Sequence, residues 1–105
     1  MVKVEVNPGA CGFIANLTIT ADAKQQVKID IESNCTQVLA MEAELQELNG
    51  YKECFAKHST STVYQVAEKH LRHLACPVPT AIIKGMEVAC GLNVAKEVGI
   101  KIEKE

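Results

Sequence analysis

Three stretches near the N-terminus alternate apolar and polar residues with a period of two. Val2, Val4 and Val6 alternate with Lys3 and Glu5. Phe13, Ala15, Leu17 and Ile19 alternate with Asn16, Thr18 and Thr20, and Val27, Ile29 and Ile31 with Lys28, Asp30 and Glu32. Such alternation predicts half-buried strands, because successive side chains of a strand point to opposite faces. The Pro8-Gly9 turn and the Ala21-Asp22-Ala23-Lys24 turn are short. Short connections predict an antiparallel three-stranded meander with one apolar face.

After Cys35 the period changes. Val38, Met41, Leu45 and Leu48 recur at helical spacing up to Asn49-Gly50, which reads as a helix end. Tyr51 to Ser61 is ambiguous, with room for one short turn around Cys54-Phe55-Ala56. Thr62-Val63-Tyr64-Gln65 fits a capping box ahead of a helix carrying Val63, Val66, Ala67, His70, Leu71 and Leu74. Thr80 to Cys90 predicts a third helix, with Ile82, Ile83, Met86, Ala89 and Cys90 as its apolar stripe and Gly85 at a close contact. Ile100 and Ile102, alternating with Lys101 and Glu103, predict a fourth, C-terminal strand. The whole reads as one α+β domain over 1–105, about three helices covering one face of the sheet.

The totals agree with that reading. The chain has 105 residues, 48% apolar and 23% charged, with a net charge of −2. Its basic residues are dispersed and it has no Trp, which argues against a nucleic-acid surface. The N-terminus has no long apolar run, so neither a signal peptide nor a membrane span is expected. The expected location is cytoplasmic, where thiols stay reduced. No Ser-His-Asp set, phosphate-binding loop, dinucleotide fingerprint or paired carboxylates point to an enzyme.

The chemistry lies in five cysteines, none in a C-x-x-C pair. Cys11 sits in the turn Asn7-Pro8-Gly9-Ala10-Cys11-Gly12. Cys35 follows Ser33-Asn34, two good N-cap residues, and Cys76 precedes Pro77-Val78-Pro79, favoured at a first helical turn. Exposed N–H groups at a helix start favour the thiolate, the form that binds metal or attacks. Cys11, Cys35 and Cys76 are therefore candidate ligands for one ion or cluster. Cys54 is a candidate fourth ligand, since four thiolates suit zinc or an iron–sulfur cluster. Cys90, on an apolar stripe, reads as core. His70 reads as a core histidine bonded to a neighbour, His73 as a candidate ligand or second partner, and His58 as solvated.

The order Cys11-Gly12 before a strand, Asn34-Cys35 before a helix and Cys76 before a later helix resembles the NifU/IscU-type iron–sulfur scaffold family over roughly residues 1–92. Cys76-Pro77 is also similar to the Cys-Pro element of TSCPD modules. The resemblance implies Zn²⁺ or an Fe–S cluster as cofactor and a protein partner in cluster metabolism. That family has an Asp where this chain has Phe13 and usually a His where it has Ala75, and its chaperone-docking motif is absent. These departures imply stable binding rather than delivery. Two other readings stand beside it: a thiol–disulfide redox protein using Cys11, Cys35 and Cys76, and a structural or partner-binding domain whose cysteines only pack.

Overall fold

The computed structural model describes residues 1–105. Three strands form as the alternation predicts: β1 (Val2–Val6), β2 (Ala15–Ala21) and β3 (Gln26–Ser33). They pair antiparallel, with Val4 opposite Leu17 and Leu17 opposite Ile31. Val6, Ala15, Leu17, Ile19, Val27, Ile29 and Ile31 are buried on one face. The opposite face carries Lys3, Glu5, Asn16, Lys28 and Glu32, all exposed. The architecture is α+β, a four-stranded antiparallel sheet in the order β1-β2-β3-β4 with four helices.

The fourth strand is β4 (Leu48–Asn49), not the C-terminal stretch. Ile100 and Ile102 are 77% and 88% exposed, and no strand forms there. Alternation sets the faces of a strand but supplies no neighbour, and this stretch finds none within the chain.

The helix expected over Val38–Leu48 is also different. It breaks into α1 (Thr36–Ala40), a 3₁₀ turn (Glu42–Glu44) and β4. The apolar positions are still used: Val38, Met41, Leu45 and Leu48 are all buried. The break follows from the free edge of β3. Ile29 N donates to Leu45 O at 2.9 Å, and Gln46 Nε2 donates to Ile29 O at 2.9 Å. The Glu42 carboxylate accepts from Ile31 N. A continuous helix would turn these groups away and leave the strand edge unsatisfied.

Asn49-Gly50 begins a helix rather than ending one. Asn49 Oδ1 accepts from Lys52 N at 3.0 Å and caps α2 (Gly50–Cys54). Ser61, not Thr62, caps α3 (Thr62–His70), accepting from Tyr64 N at 3.2 Å. Glu53, buried on α2, accepts from the Ser61 hydroxyl and, at 2.7 Å, from Val63 N, so one carboxylate ties α2 to the start of α3. The helix stops at His70, and Leu74, expected on its apolar face, is fully exposed. His70 is not a core residue but a half-buried one, with Nε2 at 2.7 Å from Glu44 Oε2. Lys69 and then His70 hold the Glu44 carboxyl below its ordinary range.

The last helix, α4 (Val78–Ala89), lies across β1 and β2, with α3 and α2 against it and α1 against β3. Gly85 permits the close approach that its position in the stripe predicts. A Cβ there would lie 2.4 Å from Ile19 Cδ1 and 2.8 Å from Val4 Cγ2. No helix is long and apolar enough to cross a membrane.

Glu42→Ala removes the acceptor of Ile31 N and should lower the unfolding free energy by about 1–3 kcal/mol. Glu47→Ala, on an exposed side chain without partners, should change it by less than about 0.5 kcal/mol. Urea unfolding of both variants measures the contrast, and equal midpoints would remove the edge-capping role from Glu42.

Candidate metal centre

Strand pairing sets which cysteines can meet. Val6 pairs with Ala15 and Ala15 with Ser33, so the β1–β2 loop and the end of β3 share one end of the sheet. Cys11 is exposed in that loop, between Gly9 and Gly12, whose φ values are +91° and +72°. Only glycine adopts such values readily, so both glycines shape the turn that presents Cys11. Cys35 stands two residues beyond β3 as the N-cap of α1, with extended backbone at φ −78° and ψ 112°. Its N–H donates to Ser33 Oγ at 3.1 Å.

Cys76 reaches the same end through α4. The helix crosses β1 and β2 with Gly85 over Val4 and Ile19, and its C-terminal Cys90 lies against Gly50 and close to Val27. Val27 belongs to the opposite end of the sheet, paired with Ala21 and Leu48. The N-terminus of α4 therefore points to the end that holds Cys11 and Cys35. A hydrogen bond fixes the loop before it: Arg72 N donates to Gln37 Oε1 at 3.0 Å, two residues from Cys35.

Cys35 and Cys11 both act on the electrostatics of Cys76. Burial pushes the Cys76 thiol above its ordinary range; an N–H from Val78 opposes this, while the charges of Cys35 and then Cys11 add to it. Val78 is the first residue of α4, so that opposing N–H belongs to the helix start. The expected activation is absent. Desolvation disfavours the thiolate more than one N–H favours it. The helix at Cys35 exists too, but it has only five residues and no side-chain cap.

The thiols are gathered at one end but not drawn into a ligating set. No three His, Cys, Asp or Glu side chains stand together as a metal-binding group in this arrangement. His73 is exposed in the loop before Cys76, and its carbonyl accepts Cys76 N at 3.2 Å. Phe13, expected on the buried face of β2, lies in the loop ahead of that strand and is 47% exposed. His58 is exposed and meets Tyr64 edge-on, ring centroids 5.3 Å apart.

Cys54 departs from its candidate role as fourth ligand. It ends α2, one turn beyond Gly50 on the same helix face, and that face meets Cys90. Burial first, then Cys90, Glu87 and Glu53, push its thiol from 9.0 up to about 11. Cys90 is buried in the core, as its apolar position predicts, and burial raises its thiol as well. Cys76 and Cys90 flank α4 at its two ends, about 20 Å apart along its axis, with Cys54 on the side of Cys90. Sequence position alone did not reveal this pairing. Gly50 leaves room for the sulfur of Cys90: a Cβ there would lie 2.3 Å from it, far inside van der Waals contact.

Residues 2–102 match the model of a family of unknown function, DUF6951. The chain belongs to DUF6951. No curated protein matches it. The matched range takes in all five cysteines and every helix and strand of this DUF6951 chain.

The raised Cys54 thiol has a consequence for stability. The folded state keeps this proton more tightly than the unfolded chain, so the contribution is complete below about pH 9 and is lost as pH climbs through about 11. Under reducing conditions, Cys54→Ala should lose less thermal stability between pH 8 and pH 10.5 than the unaltered chain. Melting curves at both pH values test this, and equal losses would contradict it.

Proposed function

We propose that this DUF6951 chain binds a metal centre, Zn²⁺ or an iron–sulfur cluster, through Cys11, Cys35 and Cys76. The reading is supported by topology: the β1–β2 loop with Cys11, the start of α1 with Cys35 and the start of α4 after Cys76 all face one end of the sheet. The donors fit the group: thiolates are soft ligands that suit zinc and iron–sulfur centres. Cys35 and Cys76 are half-buried against the core, while Cys11 sits on an exposed turn. Cys54 is left out of the proposed set, because it ends α2, the helix whose Gly50 meets Cys90.

The chain's own residues set the terms of binding. A ligating thiol must give up its proton, and Cys76 holds its proton above the ordinary range. A bound cation supplies the charge that stabilises the thiolates, and the Val78 N–H assists at Cys76. Binding therefore competes with protons and strengthens with rising pH. Three protein thiols leave a fourth ligand position for His73 or an outside donor. Phe13, in the same loop as Cys11, brings an apolar ring rather than a carboxylate, which favours retention over release. The reading includes a cytoplasmic setting, drawn from the N-terminal sequence and the free thiols, and a relation to NifU/IscU-type scaffolds with a protein partner in cluster metabolism, both drawn from the sequence resemblance.

Protein purified without oxygen should carry about one centre per chain by elemental analysis, with an absorption spectrum that separates zinc from iron–sulfur. Thiol titration should find fewer reactive cysteines before chelation than after it. Cys76→Ser should abolish the difference and Cys54→Ala should keep it. Affinity for Zn²⁺ should rise from pH 6 to pH 8. Equal thiol reactivity before and after chelation, in protein reconstituted with zinc or with iron and sulfide, would falsify the proposal.

A further inference from the structure

Two segments of this chain have β-type sequence and an open hydrogen-bonding side. One is β1, an edge strand paired only with β2. No backbone bond outside the sheet involves residues 2–6. The other is the C-terminal segment. Every residue from Gly91 to Glu105 is exposed, and from Asn93 onward no backbone–backbone hydrogen bond forms. Yet Val98, Ile100 and Ile102 alternate with Gly99, Lys101 and Glu103. The family match, which runs from 2 to 102, takes in β1 and the C-terminal segment as far as Ile102.

The two are complementary in one register. Set antiparallel with Val4 opposite Ile102, Val6 meets Ile100 on the apolar face. On the other face Lys3 meets Glu103 and Glu5 meets Lys101. Opposite charges directly across a strand pair attract, and like charges repel. A slip of two residues in either direction sets Lys3 against Lys101 or Glu5 against Glu103. A slip of one residue turns the isoleucines to the wrong face. No parallel register pairs both charges.

We infer that the segment Val98–Glu103 adds as a fifth strand to the outer edge of β1 in a second copy of this chain, giving a reciprocal dimer. Within its own chain the segment makes no backbone bond to β1, and the molecule measures 47 Å in one direction against 28 and 25 Å in the others. Exchange between two copies satisfies two edges at once and closes a twofold-symmetric pair. Strand addition of this kind takes its affinity from main-chain hydrogen bonds and its register from alternate side chains. The exposed apolar side chains of Ile100 and Ile102 then extend the buried face of the sheet beside Val4 and Val6.

Sedimentation equilibrium of the full chain, from micromolar to submillimolar concentration, should find a monomer–dimer equilibrium. Deletion of residues 98–105, all of them exposed, should leave a folded monomer by circular dichroism. The double variant Lys101→Glu/Glu103→Lys should weaken the dimer about ten-fold or more. So should Lys3→Glu/Glu5→Lys, and all four changes in one chain should restore the association. A wild type that is monomeric throughout, as docking onto its own β1 would make it, overturns the inference. So does a dimer that survives the deletion, or a four-fold variant no tighter than the double ones.

Discussion

The outer edge of β3 must be satisfied by groups that are not a full strand, and much of the structure follows from that constraint. Only Gln26 and Val27 pair with β4. Beyond them the strand leans on the carbonyl of Leu45 and on the side chains of Gln46 and Glu42. A buried strand edge without partners costs free energy at each unmet group, so the segment after Cys35 stays short and irregular. Its apolar residues still fill the core, and its carboxylates serve two directions. Glu42 reaches the sheet, while Glu44 reaches Lys69 and His70 on α3. This short segment is thus the seam between the sheet and the helical layer.

On the other half of the sheet, the governing contact is α4 on β1 and β2. Gly85 lets the helix backbone settle over Val4 and Ile19, and this fixes where its two ends fall. One end carries Cys76 toward the Cys11 loop and the start of α1. The other carries Cys90 into contact with α2. The helix thereby sorts the cysteines into two chemical surroundings, one open to solvent through Cys11 and one largely enclosed. A single docking event places both groups.

The strands were legible because their alternation is strict and one face is buried, as Val27, Ile29 and Ile31 illustrate. The α4 helix was legible for a similar reason, down to the close contact at Gly85. The stretch from Val38 to Leu48 was not. Its apolar spacing fits a helix, but tertiary demand from β3 decided the backbone, and no local signal carries that demand. Ile100 and Ile102 show the converse: a strand pattern with no neighbour in the same chain. At the candidate site, the turn around Cys11 was readable from its glycines and the start of α4 from its prolines, while α1 starts where expected but with Cys35, not Ser33 or Asn34, as its N-cap. The protonation of Cys76 was not readable, because burial depends on what packs around it. Nor was the company of Cys54, which depends on the path of α2 past α4.

The chain order of the two layers has a consequence for synthesis. The three long strands are made first, as neighbouring hairpins, and their apolar face is complete once Ser33 has been added. The helix that covers β1 and β2 ends at Ala89. At the usual pace of translation, the interval is roughly 3–11 s. Throughout it, the nascent sheet carries Leu17, Ile19 and Ile29 without their final cover. The polar residues of the opposite face, Lys3, Glu5, Lys28 and Glu32, keep the other side of that growing sheet wetted. A ribosome-bound holding factor, if one acts on this chain, would find its target in that window and lose it when α4 docks.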